Sequence, residues 1–292
     1  MRPKGLIRLL LTGCLLLLLS GCTFGATVDA LLTPPHLRGE QEQIYQALEN
    51  AVGNRITLQY PRSGDHLSAV MISDLDGDGQ DEAAVFYRKE SSLSTENALR
   101  LNLLDQADGT WMSVCDLPAE GAEVDRGFTA DIGGRQRLII GYSQVDQSDK
   151  ALVVYNYEGG TLAKSFTVSY SSFDVADLDG DDQSELLILK AAEGEHAAEA
   201  AVYVPDAQDH YTRYSLTLQG KTTEYSQVLC GNTQGKQTAI YLDGIVGATT
   251  MQTEVLQFDG KKLSYLVPTG SDAVSTIRPI GWLTMDIDQD DI

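Results

Sequence analysis

The sequence is poor in positive charge and in histidine. Its 292 residues include 21 Lys and Arg against 42 Asp and Glu, for a formal net charge of −21, and four histidines. Nucleic-acid binding and polybasic membrane contacts depend on Lys and Arg that neutralise phosphates, so the charge argues against both. The sequence also lacks an HExxH zinc motif, a GxSxG nucleophile motif and a P-loop. We therefore expect no nucleic-acid partner and, from the missing motifs, no enzyme.

The sequence has no apolar run long enough to span a membrane. The run Leu9–Leu19 has eleven residues, whereas a spanning helix needs about 20. A basic start, a short apolar run and small residues after it are typical of a secretory signal. The segment Leu19–Cys22 reads Leu-Ser-Gly-Cys and resembles the lipobox of bacterial lipoproteins. The alternative is an ordinary signal whose cleavage site lies beside a cysteine.

The lipobox resemblance implies that residues 1–21 are removed as a signal peptide and that Cys22 is acylated. Residues 22–35 then form a lipidated tether. Multiple acyl chains anchor a protein stably. We therefore expect an extracytoplasmic protein that is anchored to the bacterial cell membrane, with the lipid bilayer as one partner.

The mature chain begins with one predicted helix at residues 36–53. Ile44 and Leu48 belong to an apolar pattern of helical period, and Gly53 follows as a terminator. After Gly53, short apolar or alternating runs are separated by Gly, Asp and Asn, which predicts strands. Residues 54–292 are therefore expected to be mainly β.

A repeat of about 50 residues organises this β region. Asp74–Glu82 and Asp177–Glu185 align without a gap, and an apolar strand follows each. Eroded copies begin at Asp131 and Cys230, and another copy begins at Asp286 and stops at the end of the chain. A repeat of this length with four short strands has the size of a β-propeller blade, and such sheets must pack against neighbours. We therefore expect a β-propeller that is incomplete at its C-terminus, with an open sheet edge.

The two intact loops have the chemistry of a calcium site. Carboxylates at loop positions 1, 3, 5 and 9 and a backbone carbonyl at position 7 can form an all-oxygen cage, which favours Ca²⁺. The predicted ligands are Asp74, Asp76, Asp78, Gln80 and Glu82 in one loop and Asp177, Asp179, Asp181, Gln183 and Glu185 in the other. Asp286, Asp288 and Asp290 would form only a partial site. The eroded copies lack such a set.

The loops resemble the FG-GAP, or VCBS-type, repeat of integrin-alpha-like calcium-binding β-propellers. An EF-hand is excluded because position 12 is Val85 or Ile188 instead of Glu, and the flanks predict strands. The resemblance extends over about residues 55–292 and is specific at the two intact loops, although the motifs that name the family are missing. It implies calcium-binding propeller blades in which the ion stiffens the turn.

Three functions are compatible with these features. The first is a membrane-anchored module that binds a protein or a glycan. The alternatives are a propeller enzyme that acts on polysaccharide as a hydrolase or lyase, and a purely structural envelope component. The only mixture of histidine and acids, Glu193–His196, is expected to be a solvated loop, and Trp111 and Trp282 are expected in the core.

Overall fold

The computed structural model describes residues 39–89, 99–144, 150–232, 238–266 and 277–284. These residues contain one helix and eighteen strands, so the prediction of a mainly β protein with one helix is confirmed. The signal segment, Cys22, the tether and the partial loop at Asp286 lie outside the described residues. No helix within the described ranges is both long and apolar enough to cross a membrane.

Helix α1 spans Glu40–Val52. Acidic residues occupy its first turn, where they interact favourably with the helix dipole. Gly53 ends the helix with a positive φ of 94° and donates its N–H to the carbonyl oxygen of Glu49 over 2.8 Å. Ile44 and Leu48 are fully buried, as the helical period predicts.

The strands form four antiparallel sheets in chain order. The first sheet contains β1 (Ile56–Leu58), β2 (Val70–Ser73), β3 (Glu82–Lys89), β4 (Leu99–Ala107) and β5 (Thr110–Pro118). The second contains β6 (Glu123–Asp131), β7 (Gln136–Ser143), β8 (Lys150–Glu158) and β9 (Thr161–Ser169). The third contains β10 (Ser172–Ala176), β11 (Glu185–Lys190), β12 (Glu199–Pro205) and β13 (Tyr211–Thr217). The fourth contains β14 (Glu224–Asn232), β15 (Thr238–Ile245), β16 (Thr250–Phe258), β17 (Leu263–Tyr265) and β18 (Ile277–Pro279).

Each sheet is an antiparallel meander in which successive strands occupy four neighbouring positions. Two sheets have a fifth strand that shares one of these positions. In the first sheet β1 and β2 both pair with β3, and in the fourth β17 and β18 both pair with β16. The acidic loops that begin at Asp74 and Asp177 connect the first position to the second, and the shortened copy at Asp131 follows the same rule. The repeat read from the sequence therefore corresponds to one sheet per copy.

The copy at Cys230 differs from its prediction. Asn232 pairs with Thr238, which leaves five residues between the strands, whereas eight separate Ser73 from Glu82. Cys230 consequently lies inside β14 and pairs with Ile240, so its expected place at the first position of a loop is wrong.

The inner strands bury both faces between neighbouring sheets. In β11, Leu186 and Ile188 pack in the core shared with the second sheet, and Leu187 and Leu189 pack in the core shared with the fourth. Successive side chains of a strand point to opposite faces. A continuous apolar run is therefore required here.

The outer face of the first sheet is covered by helix α1. Ile44 and Leu48 pack with Ala83, Val85 and Tyr87 of β3 in one apolar cluster. Among the described residues, no apolar cluster joins the first sheet to the fourth. The described sheets are therefore not closed into a ring, so the predicted propeller is not confirmed. The helix covers the face of the first sheet that a further blade would otherwise need to cover.

The two tryptophans behave differently. Trp111 is buried beside the helix, with 6% of its surface exposed, whereas Trp282 is 68% exposed. The expectation that Trp282 lies in the core is wrong. It follows the short strand β18 instead of a strand that is buried between sheets.

Candidate functional site: two acidic loops and a cleft

The first-sheet loop is a compact turn built around Asp74. The N–H groups of Gly77 and Gly79 donate to the Oδ1 and Oδ2 atoms of Asp74 over 2.7 and 3.0 Å. Both glycines have positive φ, of 79° and 87°, which side chains rarely tolerate. Asp74, Asp76 and Asp78 each offer a carboxylate oxygen, and these oxygens lie within 4.8 Å of one another. The three side chains can hold a metal ion.

Glu82 lies buried at the base of the same loop. Its Oε2 accepts the N–H of Leu75 over 2.7 Å, and its Oε1 is buried with no hydrogen-bond partner among the residues described. Burial first, and then the carboxylates of Asp76 and Asp105, raise the pKa of Glu82 to about 7, against the opposing hydrogen bond from Leu75. A nearby cation would favour the charged form of this carboxylate.

The third-sheet loop repeats this design. Gly180 N–H donates to Oδ1 of Asp177 over 2.7 Å, and Leu178 N–H donates to Oε2 of Glu185 over 2.8 Å. Here Asp177, Asp179 and Glu185 bring their oxygens within 4.8 Å of one another. Burial first, and then neighbouring acids, raise the pKa of Glu185 to about 7.

The two loops differ in which predicted residues come together. Glu82 is not one of the three clustered groups of the first loop, and Asp181 is not one of those of the third-sheet loop. Asp181 instead accepts the N–H of Gln183 over 2.9 Å, as Asp78 accepts that of Gln80 over 2.7 Å. The structure therefore brings three of the four predicted carboxylates together in each loop.

The hairpin of the next sheet packs against the third-sheet loop. A Cβ placed on Gly260, between β16 and β17, would lie 2.7 Å from Oδ2 of Asp179. The other carboxylate oxygen of Asp179, Oδ1, is buried and has no hydrogen-bond partner in the described part of the chain. The loop is thus enclosed by the fourth sheet as well as by its own turn.

In the second sheet, an arginine replaces the glutamate. Arg137 pairs, on the neighbouring strand, with the residue that precedes its loop. Glu82 and Glu185 pair in the same way in their own sheets. Its guanidinium is 1% exposed. It donates to Ile132 O over 2.9 Å, to Asn156 Oδ1 over 2.6 Å and to Asp209 Oδ1 over 2.6 Å. The side chain therefore provides a positive charge at this loop, whereas the sequence predicted only that this copy lacks an acidic set.

A cleft of about 730 Å³ opens at the opposite end of the second and third sheets. Its lining includes six residues with ionisable side chains, namely Lys150, Tyr170, Lys190, Glu193, His196 and Glu199. Glu193–His196, predicted to be a solvated loop, is a tight turn on this rim. The only sequence signal for the site was this mixture of histidine and acids.

The floor of the cleft is fixed by Asp125. Its Oδ2 accepts the Tyr170 hydroxyl over 2.6 Å, and both of its carboxylate oxygens accept Lys150 Nζ over 3.1 Å. Burial first, and then this hydrogen bond, raise the pKa of Tyr170. Tyr170 is therefore a hydrogen-bond donor to Asp125 and not a ready base. Sequence reasoning missed Asp125, because its partners are far away in the chain.

No family model matches the sequence, and no curated protein sequence matches it. Several solved structures resemble part of the fold. The Bacillus licheniformis rhamnogalacturonan lyase PL11 is 14% identical, with 74% of this chain and 56% of that chain covered at a TM-score of 0.34. A putative exo-β-1,3-galactanase from Bifidobacterium bifidum s17 is 13% identical, with 74% and 78% covered at a TM-score of 0.33. The rhamnogalacturonan lyase YesW is 16% identical, with 73% and 49% covered at a TM-score of 0.34.

The chain spans about half the length of the lyases that it matches. At these TM-scores the likeness assigns no site residue and no substrate to this chain. The matched structures are lyases and galactanases, whereas the expectation of no enzyme depended only on missing motifs. That expectation is withdrawn, since catalytic groups that converge from distant strands leave no contiguous motif.

Proposed function

We propose that the acidic loops of the first and third sheets each bind one Ca²⁺ ion that stiffens the turn. Carboxylates and the carbonyl oxygen at loop position 7 would supply the ligands. The proposed ligands are Asp74, Asp76, Asp78, Gln80 and Glu82 in the first sheet and Asp177, Asp179, Asp181, Gln183 and Glu185 in the third. Affinity should be weak, about 10⁻⁴–10⁻³ M, as in extracellular modules.

The buried, unpartnered Oε1 of Glu82 carries this proposal. Burying a carboxylate oxygen without a partner is costly, and three further carboxylates lie in the same loop. Asp179 repeats the pattern with a buried, unpartnered Oδ1 in the other loop. An all-oxygen set of this kind favours a hard cation such as Ca²⁺ over transition metals.

Calorimetric titration with CaCl₂ and thermal melts with and without a chelator test the proposal. The double variant Asp74→Asn with Asp177→Asn should lose both the binding heat and the calcium-dependent rise in Tm. The control, Asp81→Asn with Asp182→Asn, removes the same charge from neighbouring exposed positions of the same loops and should keep both. Unchanged melts of the parent protein in chelator, with no binding heat, would contradict calcium binding.

We also propose that the sheets are blades of an FG-GAP-type propeller. Support comes from the meander of each sheet and from the acidic loops at the same connection in the first and third sheets. Helix α1 occupies the outer face of the first sheet. Closure of a ring through that face would therefore require the helix to move, and cross-linking an engineered cysteine pair between α1 and β3 tests whether it stays.

The resemblance to a lipobox supports the proposal that the protein is extracytoplasmic and anchored to the bacterial cell membrane. A weak calcium site would be filled in that compartment. Metabolic labelling with a palmitate analogue should tag the parent protein, and Cys22→Ala should abolish the label. Cys115→Ser is the matched control and should keep it.

A second proposal is that the protein acts on polysaccharide, as a hydrolase or lyase or by binding alone. The cleft supports it, because its volume of about 730 Å³ lies within the range of roughly 300–1,000 Å³ usual for ligand sites. The calcium-loaded protein should be incubated with a panel of polysaccharides. Reducing ends would indicate hydrolysis, and an unsaturated product that absorbs in the ultraviolet would indicate elimination. Retention on the polysaccharide without a product would indicate binding alone. The absence of both a product and retention would contradict the proposal.

A further inference from the structure

We infer that the cleft between the ends of the second and third sheets is a binding site for a neutral oligosaccharide. The inference depends on the proposed action on polysaccharide and is independent of calcium binding. The acidic loop of the third sheet joins β10 to β11, whereas the cleft contains residues at the end of β11 and the start of β12. The two sites are therefore at opposite ends of the third sheet.

The floor of the cleft is rigid before any ligand arrives. Lys150 and Tyr170 are both bonded to Asp125, which is 13% exposed. A Cβ on Gly141 would lie 2.2 Å from the Tyr170 hydroxyl, so the absence of a side chain at Gly141 makes room for this arrangement. Polar groups held in this way lose little entropy when a ligand binds.

The rim is a tight turn that presents two polar side chains. Glu193 and His196 exchange backbone hydrogen bonds of 3.1 and 2.9 Å. Gly194 takes a φ of 58° inside this turn, which glycine adopts readily. The side chains of Glu193 and His196 are exposed and line the cleft.

Among the described residues, the lining offers both donors and acceptors at close to zero net charge. Lys150 is paired with Asp125, and Glu199 is paired with Arg213 over 2.5 Å. The remaining charged groups of the lining are the ammonium of Lys190 and the carboxylate of Glu193, and their charges are opposite. Lys190 forms no ion pair within the described residues. Sugar hydroxyls both donate and accept, so they suit such a mixture.

The charge balance favours a neutral sugar over an acidic one. The chain has a net charge of −21, and its field repels anions. An acidic sugar would need an excess of free cations in the cleft, whereas Lys190 is offset by Glu193. Three alanines, Ala151, Ala191 and Ala197, also line the cleft and leave apolar surface for the C–H face of a sugar ring.

Calorimetry with cellotriose, maltotriose and xylotriose, and with trigalacturonate as the acidic counterpart, tests the inference. At least one neutral trisaccharide should bind, with an affinity that changes little with salt. Glu193→Gln with His196→Ala should weaken binding about tenfold or more, the loss expected when hydrogen bonds to a ligand are removed. Glu195→Gln lies in the same turn outside the lining and should bind like the parent. Ala191→Phe should also weaken binding by filling the cleft.

Three results would overturn the inference: no binding of any neutral trisaccharide, binding that the rim variants leave unchanged, or tighter and salt-sensitive binding of trigalacturonate. A failure of polysaccharide cleavage alone is distinguishable from these. If trisaccharides bind and the rim variants weaken them but no polysaccharide is cleaved, the cleft is a binding site and only cleavage fails. All variants should keep the Tm of the parent protein, which shows that they fold.

Discussion

Arg137 Nη2 donates to Asp209 Oδ1 over 2.6 Å and thereby joins the loop of the second sheet to the hairpin that follows β12 in the third. The arginine is 1% exposed, and the aspartate is 20% exposed. Burial alone would raise the pKa of Asp209, but the hydrogen bond and charge of Arg137 outweigh it, so the pKa is lowered. The arginine stands where the other two loops have a buried glutamate.

Removing Arg137 should therefore destabilise the protein strongly. Arg137→Met leaves Asp209 and Asn156 without their buried donor, and breaking a buried pair in this way costs about 3–5 kcal/mol. Arg135→Met is the control, because Arg135 is 52% exposed and 3.9 Å from Asp209, and exposed pairs contribute at most about 1 kcal/mol. Urea unfolding of both variants measures the difference. Equal losses would show that the buried contact is unimportant.

The stability of calcium-free protein should fall as pH rises. The pKa values of Glu82 and Glu185 are raised to about 7 in the folded protein, above the value of about 4.3 for an unperturbed glutamate. The folded state then binds more protons than the unfolded state, so stability is fully present below the unfolded pKa and is lost as pH passes through about 7. Melts in chelator across this range should show the decline, and saturating calcium should reduce it. Glu82→Gln with Glu185→Gln should flatten the chelator profile.

Gly260 should matter for calcium binding in the third-sheet loop. A Cβ there would meet Asp179 Oδ2 at 2.7 Å, and the glycine has a φ of 79°. Gly160 is a matched control, since it has a φ of 76° with nothing within 4 Å of a Cβ among the described residues. Both alanine variants should lose about 1 kcal/mol from backbone strain. Only Gly260→Ala should also weaken calcium binding at one of two sites, and equal calcium titrations would contradict this.

Asp243 should hold residues 277–284 against the fourth sheet. This aspartate is 1% exposed and accepts Arg278 Nη2 over 2.7 Å and Thr284 N–H over 2.6 Å. Asp243→Ala should leave Arg278 without its carboxylate partner, release the Thr284 N–H and make the bond after Trp282 more sensitive to chymotrypsin. Asp206→Ala, at an exposed hairpin, is the control and should leave the digestion pattern unchanged. Chymotryptic cleavage of Asp243→Ala at the rate of the parent protein would contradict this role.

The two described cysteines should differ in reactivity. Both are free and half-buried. Burial first raises the pKa of Cys230 to about 12, and a thiol with a raised pKa forms little of the reactive thiolate. Iodoacetamide should therefore label Cys115 well before Cys230 in the folded protein, with equal labelling after denaturation. Mass spectrometry of the labelled peptides measures the order, and prior labelling of Cys230 would contradict it.

Sequence by itself determined the local features of this protein. Helix α1, the strand class and the repeat around Asp74 and Asp177 follow from period, turn residues and short spacing, which depend on neighbours in the chain. The carboxylates of each loop converge for the same reason, since they lie within nine residues of each other.

Only the tertiary structure decided what lies against these elements. Arg137 meets Asp209 across 72 residues, and Asp125 meets Tyr170 across 45. The position of the helix arises from its packing on the first sheet, and the cleft beside Glu193 arises from packing between sheets. A strand pattern specifies which side chains share a face, but the partner of that face depends on surfaces that come together only on folding.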